Sequence, residues 1–200
     1  MKTAGKNGKT NGKTNGTHQS PSYLQKFFLD QLKDIYYAEK QLLDKGLPEL
    51  KKAATTEELE DAFDAHMKQT ERHIKRLEKV FQLVGKKAEG KKCEAIDGLL
   101  KESKSIIDET EEGSMTRDAA LIIAAQKVEH YEIATYGGLV QLAVTMKLSR
   151  AADLLAKTLY EEEETDQLLT NIAEIHVNVE AEQEGAYVWE KEEAETTGTA

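Results

Sequence analysis

Four stretches of this 200-residue chain carry metal-ligand side chains where a helix would present apolar ones to a core. At helical spacing the first reads Leu32, Ile35, Tyr36, Glu39, Leu42, Leu43, and the second Leu59, Phe63, His66, Gln69/Thr70, His73, Leu77, Val80. The third reads Leu121, Ile122, Ala125, Glu129, Glu132, Tyr136, Leu139, and the fourth Leu155, Leu159, Glu162, Thr165/Asp166, Leu169, Ile172. Each stripe has the 3.6-residue period, which puts its polar members on the buried face. No Lys or Arg lies on the stripes to neutralise Glu39, Glu129, Glu132 and Glu162. Carboxylates buried together without a cation cost several kcal/mol each or take up protons. A bound metal removes that cost. Carboxylate with imidazole suits iron or manganese, whereas magnesium prefers oxygen alone and zinc recruits thiolate or further histidine.

Each residue also has a plainer reading. His66 or His73 alone would be a hydrogen-bonded core histidine, and Glu161 to Glu164 a wet acidic face on which only Glu162 lies on the stripe. His130 points away from Glu129 and Glu132, and Tyr36 and Tyr136 read as core residues, with a supporting hydrogen bond as the minor alternative. Four helices carrying the same signal at once favour the metal. The carboxylate ligands expected are Glu39, Glu129, Glu132 and Glu162, with His73 as the imidazole. His66, Gln69 and Asp166 either join them or support them from behind. The competing function is a metal-free structural or partner-binding helical bundle, its site held by protonated carboxylates and hydrogen bonds.

The elements that must position these residues are helices. Two prolines, frequent Ala, Leu, Glu and Lys, and few aromatic residues mark an all-α protein with one substantial core. Ser20 followed by Pro21 starts a first helix that runs to about Lys45, with Gly46 and Pro48 as a break or kink and helix resuming to about Ala54. Thr56, Glu57 and Glu58 start a second helix that reaches Leu83. A loop around Gly85 to Gly90 leads to a shorter amphipathic segment, about 95–109. The third helix starts after Gly113, capped by Ser114 or Thr116, and runs to about Met146. The fourth spans about Arg150 to Val177. Gly137 and Gly138 weaken the third helix locally and would allow a close helix contact. Short connections make helices one and two, and three and four, antiparallel pairs. In the first pair 31 residues separate Glu39 from Thr70, and in the second 33 separate Glu129 from Glu162, so both hairpins deliver ligands to one layer. The resulting expectation is an antiparallel four-helix bundle of two helical hairpins over residues 20–178, with a long crossover that contains a short extra helix.

Residues 1–19 form a near-repeat of Gly-Lys-Thr-Asn, too poor in apolar residues to offset its ordering entropy, and read as a disordered basic tail. The Gly-Lys-Thr triplets lack the strand, spacing and helix of a phosphate-binding loop. Residues 179–200 read as an acidic tail, with Tyr187, Val188 and Trp189 able to dock. A formal net charge of −10 argues against nucleic acid as a partner. The lone Cys93 excludes an internal disulfide and a CxxC module and fits a reducing compartment. No apolar run is long enough to span a membrane, and no secretory signal opens the chain. The chain is expected in the cytoplasm.

Three segments carry a resemblance: Asp34 to Leu42, His66 to Glu78, and Lys127 to Gly137, the last with the run Lys-Val-Glu-His-Tyr-Glu. Together they resemble the YciF-like stress-protein family of ferritin-like bundles, over roughly residues 22 to 178. The resemblance implies a cytoplasmic ferritin-like homodimer with a dinuclear iron centre, manganese being the alternative, and no settled activity. Apolar residues on the 95–109 segment add some support for the dimer. A carboxylate-bridged pair of ions of this kind, open to dioxygen or peroxide, suits Fe(II) oxidation (ferroxidase-like) or peroxide removal (peroxidase-like). The wider ferritin-like pattern has one Glu on each of two helices and Glu-x-x-His on the other two. Glu39 and Glu129 match the single positions, and Glu132 adds a carboxylate as in rubrerythrin-type members. Helix two has His73 but Thr70 at the Glu position, and helix four has Glu162 but Thr165 at the His position.

Overall fold

The computed structural model describes residues 22–185, so the expectations for residues 1–19 and for Tyr187 to Trp189 lie outside the described residues. Within them the ordered elements are helices: α1 (Tyr23–Gln41), α2 (Leu47–Ala53), α3 (Glu57–Leu83), α4 (Glu94–Glu109), α5 (Met115–Thr145), α6 (Ser149–Ile172) and α7 (Asn178–Gln183). Ser22, two residues later than the sequence suggested, caps α1 in a reciprocal box with Gln25. Thr56 caps α3, with Glu57, Glu58 and Glu60 in its first turn, and Ser114 caps α5.

The break expected at Gly46 and Pro48 is a π-helical turn, Leu42–Gly46, that joins α1 to α2 without a loop. Pro48 follows directly in α2, and the widened π-helical turn before it is where the helix accommodates a residue that cannot donate to the ladder. Leu100 packs closely over Gly46. A Cβ on that glycine would stand 2.5 Å from Leu100 Cδ2 of α4. A second π-helical turn, Ala173–Val177, joins α6 to α7, so helix continues to Gln183, beyond the end expected at Val177. Glu184 then turns back and accepts hydrogen bonds from the backbone N–H of Met115 and Thr116 at the start of α5. The close contact expected at Gly137 and Gly138 is not made among the described residues, since nothing lies within 4 Å of a Cβ at either.

Paired side chains give the chain directions. Between α1–α2 and α3, Glu39 meets His73 and Lys51 meets Asp64, one index rising as the other falls, so the two run antiparallel. The pairs Gln126–Thr170 and His130–Asp166 do the same for α5 and α6, and Gln69–Thr165 and Arg76–Thr158 for α3 and α6. The crossover through α4 returns the chain to the turn between α2 and α3. There Asp118 of α5, fully buried, accepts from the N–H groups of Thr55 and Thr56 and from the Thr56 hydroxyl. Arg117 beside it donates to the carbonyls of Ile107 and Thr110 at the end of α4. These contacts, which periodicity does not show, tie the first hairpin, the crossover and the second hairpin together at one end.

The core is layered along the helix axes. Leu32 and Ile35, Leu77 and Val80, Leu139 and Ala143, and Leu155 fill one end, and Leu42, Leu59 and Phe63, Leu121 and Ile122, and Leu169 and Ile172 the other. Between them every long helix changes from apolar to polar residues without leaving its buried face. Burial of each large apolar side chain contributes about 1.5–3 kcal/mol, so the two apolar layers can hold a polar belt between them.

Candidate metal centre

The belt consists of Glu39 from α1, His66 and His73 from α3, Glu129 and Glu132 from α5 and Glu162 from α6, none more than 2% exposed. Two groups of potential ligand atoms form, each lying within 4.8 Å: Glu39, His73 and Glu162, and His66, Glu129, Glu132 and Glu162. Glu162 belongs to both. His73 Nδ1 lies 3.0 Å from Glu162 Oε1 and 3.4 Å from Glu39 Oε1. His66 Nδ1 lies 3.0 Å from Glu129 Oε1, and its Nε2 lies 3.5 Å from Glu162 Oε2. Among the described residues no Lys or Arg forms an ion pair with any of the four carboxylates.

These contacts are close, yet most do not satisfy the atoms that make them. Glu39 Oε2, Glu129 Oε2, both oxygens of Glu132, both oxygens of Glu162, His66 Nε2, His73 Nδ1 and Thr70 Oγ1 are buried without a hydrogen-bond partner. Buried polar atoms are almost always partnered, and here the unpartnered ones share one layer. Metal–nitrogen and metal–oxygen bonds of about 2.0–2.2 Å bring neighbouring ligand atoms to about 3 Å from each other, the spacing seen here. Four carboxylates balance the charge of two divalent cations. The donor set fits such a pair.

Without a cation the layer must share protons. Burial pushes the Glu39 carboxyl up, against the pull of His73. Burial pushes Glu129 up to about 7, with the His66 imidazole opposing. Glu132, with burial and three neighbouring carboxylates all acting in one direction, is raised well above the usual carboxylate range. Burial acts the same way on Glu162, but His66 and His73 outweigh it and hold that carboxyl at about 2. Burial lowers both imidazoles, and the carboxylates more than reverse it. His73 is raised to about 10 by Glu39 and Glu162, and His66 well above its ordinary value by Glu129 and Glu162.

Gln69 and Asp166, which the sequence leaves as joining the ligands or supporting them from behind, make their contacts elsewhere. Gln69 Oε1 accepts from Thr165 Oγ1 at 3.1 Å, and Asp166 accepts from Gln126 and pairs with the exposed His130. Each lies one residue off its stripe, about 100° around the helix, and that rotation turns it toward those partners. Tyr136 donates to Glu39 Oε1 and is fully buried, so it supports a candidate ligand as well as filling the core. Tyr36 instead donates to Glu78. Glu161, read from sequence as part of a wet face, lies 2.9 Å from His73 Nε2 and accepts a two-pronged ion pair from Arg76. Its only trace in the sequence is adjacency to Glu162.

The family described as Domain of unknown function (DUF892) matches residues 23–182. Protein YciF of Escherichia coli (strain K12) is 44% identical over 160 residues, covering 80% of this chain and 95% of that one. The crystal structure of the E. coli stress protein YciF superposes with a TM-score of 0.74 at 43% identity, covering 79% of this chain and 99% of that one. A second solved structure, YcfI from Rhodopseudomonas palustris, named as a candidate structural protein, gives a TM-score of 0.72 at 37% identity, covering 74% and 94%.

Proposed function

This chain belongs to the DUF892 family, with the stress protein YciF among its relatives, and from that premise we propose that it is a ferritin-like stress-response protein holding two iron or manganese ions inside a four-helix bundle. The observation that carries the reading is the buried layer of four carboxylates and two imidazoles, drawn from four helices, with unpartnered atoms and, among the described residues, no Lys or Arg paired with the carboxylates. Glu39 and His73 would hold one ion, His66, Glu129 and Glu132 the other, and Glu162 would contribute to both. Iron held there would supply redox chemistry of the kind used in Fe(II) oxidation or peroxide removal. The protein's own part is to orient and enclose. Tyr136 fixes Glu39 by its hydrogen bond, Glu162 stays ionised between two imidazoles, and the apolar layers on both sides exclude water. The same reading carries a cytoplasmic homodimer, which sedimentation at micromolar concentration checks. The function is tested by metal analysis of protein purified without chelator. About two iron or manganese ions per chain are expected, and protein that neither retains nor takes up a divalent transition metal would sink the reading.

The second reading is a metal-free structural bundle. What favours it is that protons alone can neutralise the layer: two protonated imidazoles offset Glu162 and one of Glu39 and Glu129, while Glu132 and the other of that pair, both raised by burial, take up protons. The relative from Rhodopseudomonas palustris named as a candidate structural protein points the same way. Metal analysis separates the two readings.

A further inference from the structure

We infer that Glu161, clamped by Arg76, is a positioning residue that holds His73 with its Nδ1 aimed into the centre. The inference rests on the metal-binding reading above and adds to it a residue outside the ligand set.

The geometry is specific. Arg76 Nη2 donates to Glu161 Oε1 at 2.6 Å and Arg76 Nη1 to Glu161 Oε2 at 2.9 Å, a two-pronged pair that fixes the plane of the carboxylate. Arg76 Nη1 also donates to Thr158 Oγ1, one turn before Glu161 on α6. The clamp therefore joins α3 to α6 one turn beyond His73. Glu161 Oε2 then lies 2.9 Å from His73 Nε2. An ionised carboxylate can only accept, so Nε2 carries the hydrogen. In a neutral ring the lone pair is then on Nδ1, the nitrogen that faces Glu162 Oε1 and Glu39 Oε1 at 3.0 and 3.4 Å. A lone pair directed at two carboxylates is repelled unless a proton or a metal cation lies between them. A ring held in this tautomer by a carboxylate behind it has the arrangement of a metal-ligating histidine, where such outer partners orient the ring and raise its basicity. His66 differs, because both of its nitrogens face carboxylates of the centre itself. The two imidazoles are thus held in different ways, and only one side of the centre should depend on Glu161.

The test is a Co(II) titration of the full chain, followed by absorption spectroscopy and isothermal calorimetry, on the wild type, Glu161→Ala, Glu161→Gln, His73→Ala and the double variant Glu161→Ala/His73→Ala. Wild type is expected to bind two ions. Glu161→Ala should weaken one of them by about 10–100-fold and change its visible spectrum, with the other ion unaltered. Glu161→Gln keeps a carbonyl acceptor for Nε2–H and should recover most of the affinity, a rescue that a purely structural role would not give. In the His73→Ala background Glu161→Ala should cost nothing further, because the two act through one contact. Two ions bound by Glu161→Ala as by wild type would overturn the positioning role and leave the metal-binding reading standing, as would equal weakening of both ions. Wild type that binds no Co(II) would overturn both. A lowered melting temperature of metal-free Glu161→Ala does not blur the result, since the expected loss is confined to one of two ions in a chain still folded enough to bind the other.

Discussion

Among single residues Glu129 discriminates most sharply between the two readings. Glu129→Gln keeps shape and hydrogen-bonding capacity and removes one charge. If the residue helps balance two cations, metal-loaded protein loses occupancy and melts at a lower temperature. If the layer is metal-free, the change relieves crowding among carboxylates already pushed upward by burial, and stability is unchanged or rises. Melting curves with excess Mn(II) and with chelator should therefore shift in opposite directions, and a variant stabilised in both buffers would rule out the centre. How far such residues could be read from sequence depends on where they sit around the helix. Glu39, His66, His73, Glu129, Glu132 and Glu162 lie on the apolar stripes, and the fold brings all six into one layer. Gln69 and Asp166 stand next to Thr70 and Thr165 in sequence, but one position turns a side chain toward other partners. Glu161 was illegible for the same reason in reverse. It lies off the stripe, and what it does depends on Arg76 of another helix, a contact that no periodicity encodes.

At the level of elements, the order and ends of the helices could be read because caps and stripes are local. Ser114 and Thr56 cap where their sequence places them. The joints were less legible. Gly46 with Pro48 reads as a break, but the chain passes through it as a π-helical turn, with Leu100 of α4 close against Gly46. Gly137 and Gly138 looked like a close contact and are not one within the described chain. These two cases predict opposite effects for one chemical change. Gly46→Ala puts a methyl 2.5 Å from Leu100 Cδ2, so Leu100 or α4 must shift. A loss of about 1–3 kcal/mol is expected from overpacking. Gly138→Ala adds a methyl in open space on an exposed helix position and removes the entropy penalty of glycine, a gain of about 0.5–1 kcal/mol. Urea denaturation of the two variants in chelator measures both. A destabilising Gly138→Ala would mean that something outside the described chain packs there, and a second copy in a dimer could be detected by the same loss appearing only above the dimer's dissociation constant.

For the whole molecule, the centre makes stability depend on pH in a way that metal should reverse. Glu129, raised to about 7 in the folded chain, contributes stability that is complete below its unfolded value near 4.5 and lost as pH rises through 7. His73, raised to about 10, contributes stability that is complete below 6.5 and lost as pH rises through 10. Glu162, held at about 2, acts the other way, and its contribution is present above 4.5 and lost only as pH falls toward 2. Summed over these groups, the metal-free protein should be most stable in mildly acidic solution and should weaken steadily from about pH 6 to pH 8.5, since the Glu129 proton leaves a dry layer of like charges while the unfolded chain releases imidazole protons that the folded chain still holds. A bound cation needs those same ligands deprotonated, so its contribution grows over the same interval. Melting temperatures measured from pH 6 to 8.5 should then fall in chelator and hold or rise with excess Mn(II), the gap widening with each step. The interval separates the two readings as well. Curves that coincide at every pH would leave the buried carboxylates as a proton-held structural layer, whereas curves that diverge as pH rises are what two cations in place of those protons require.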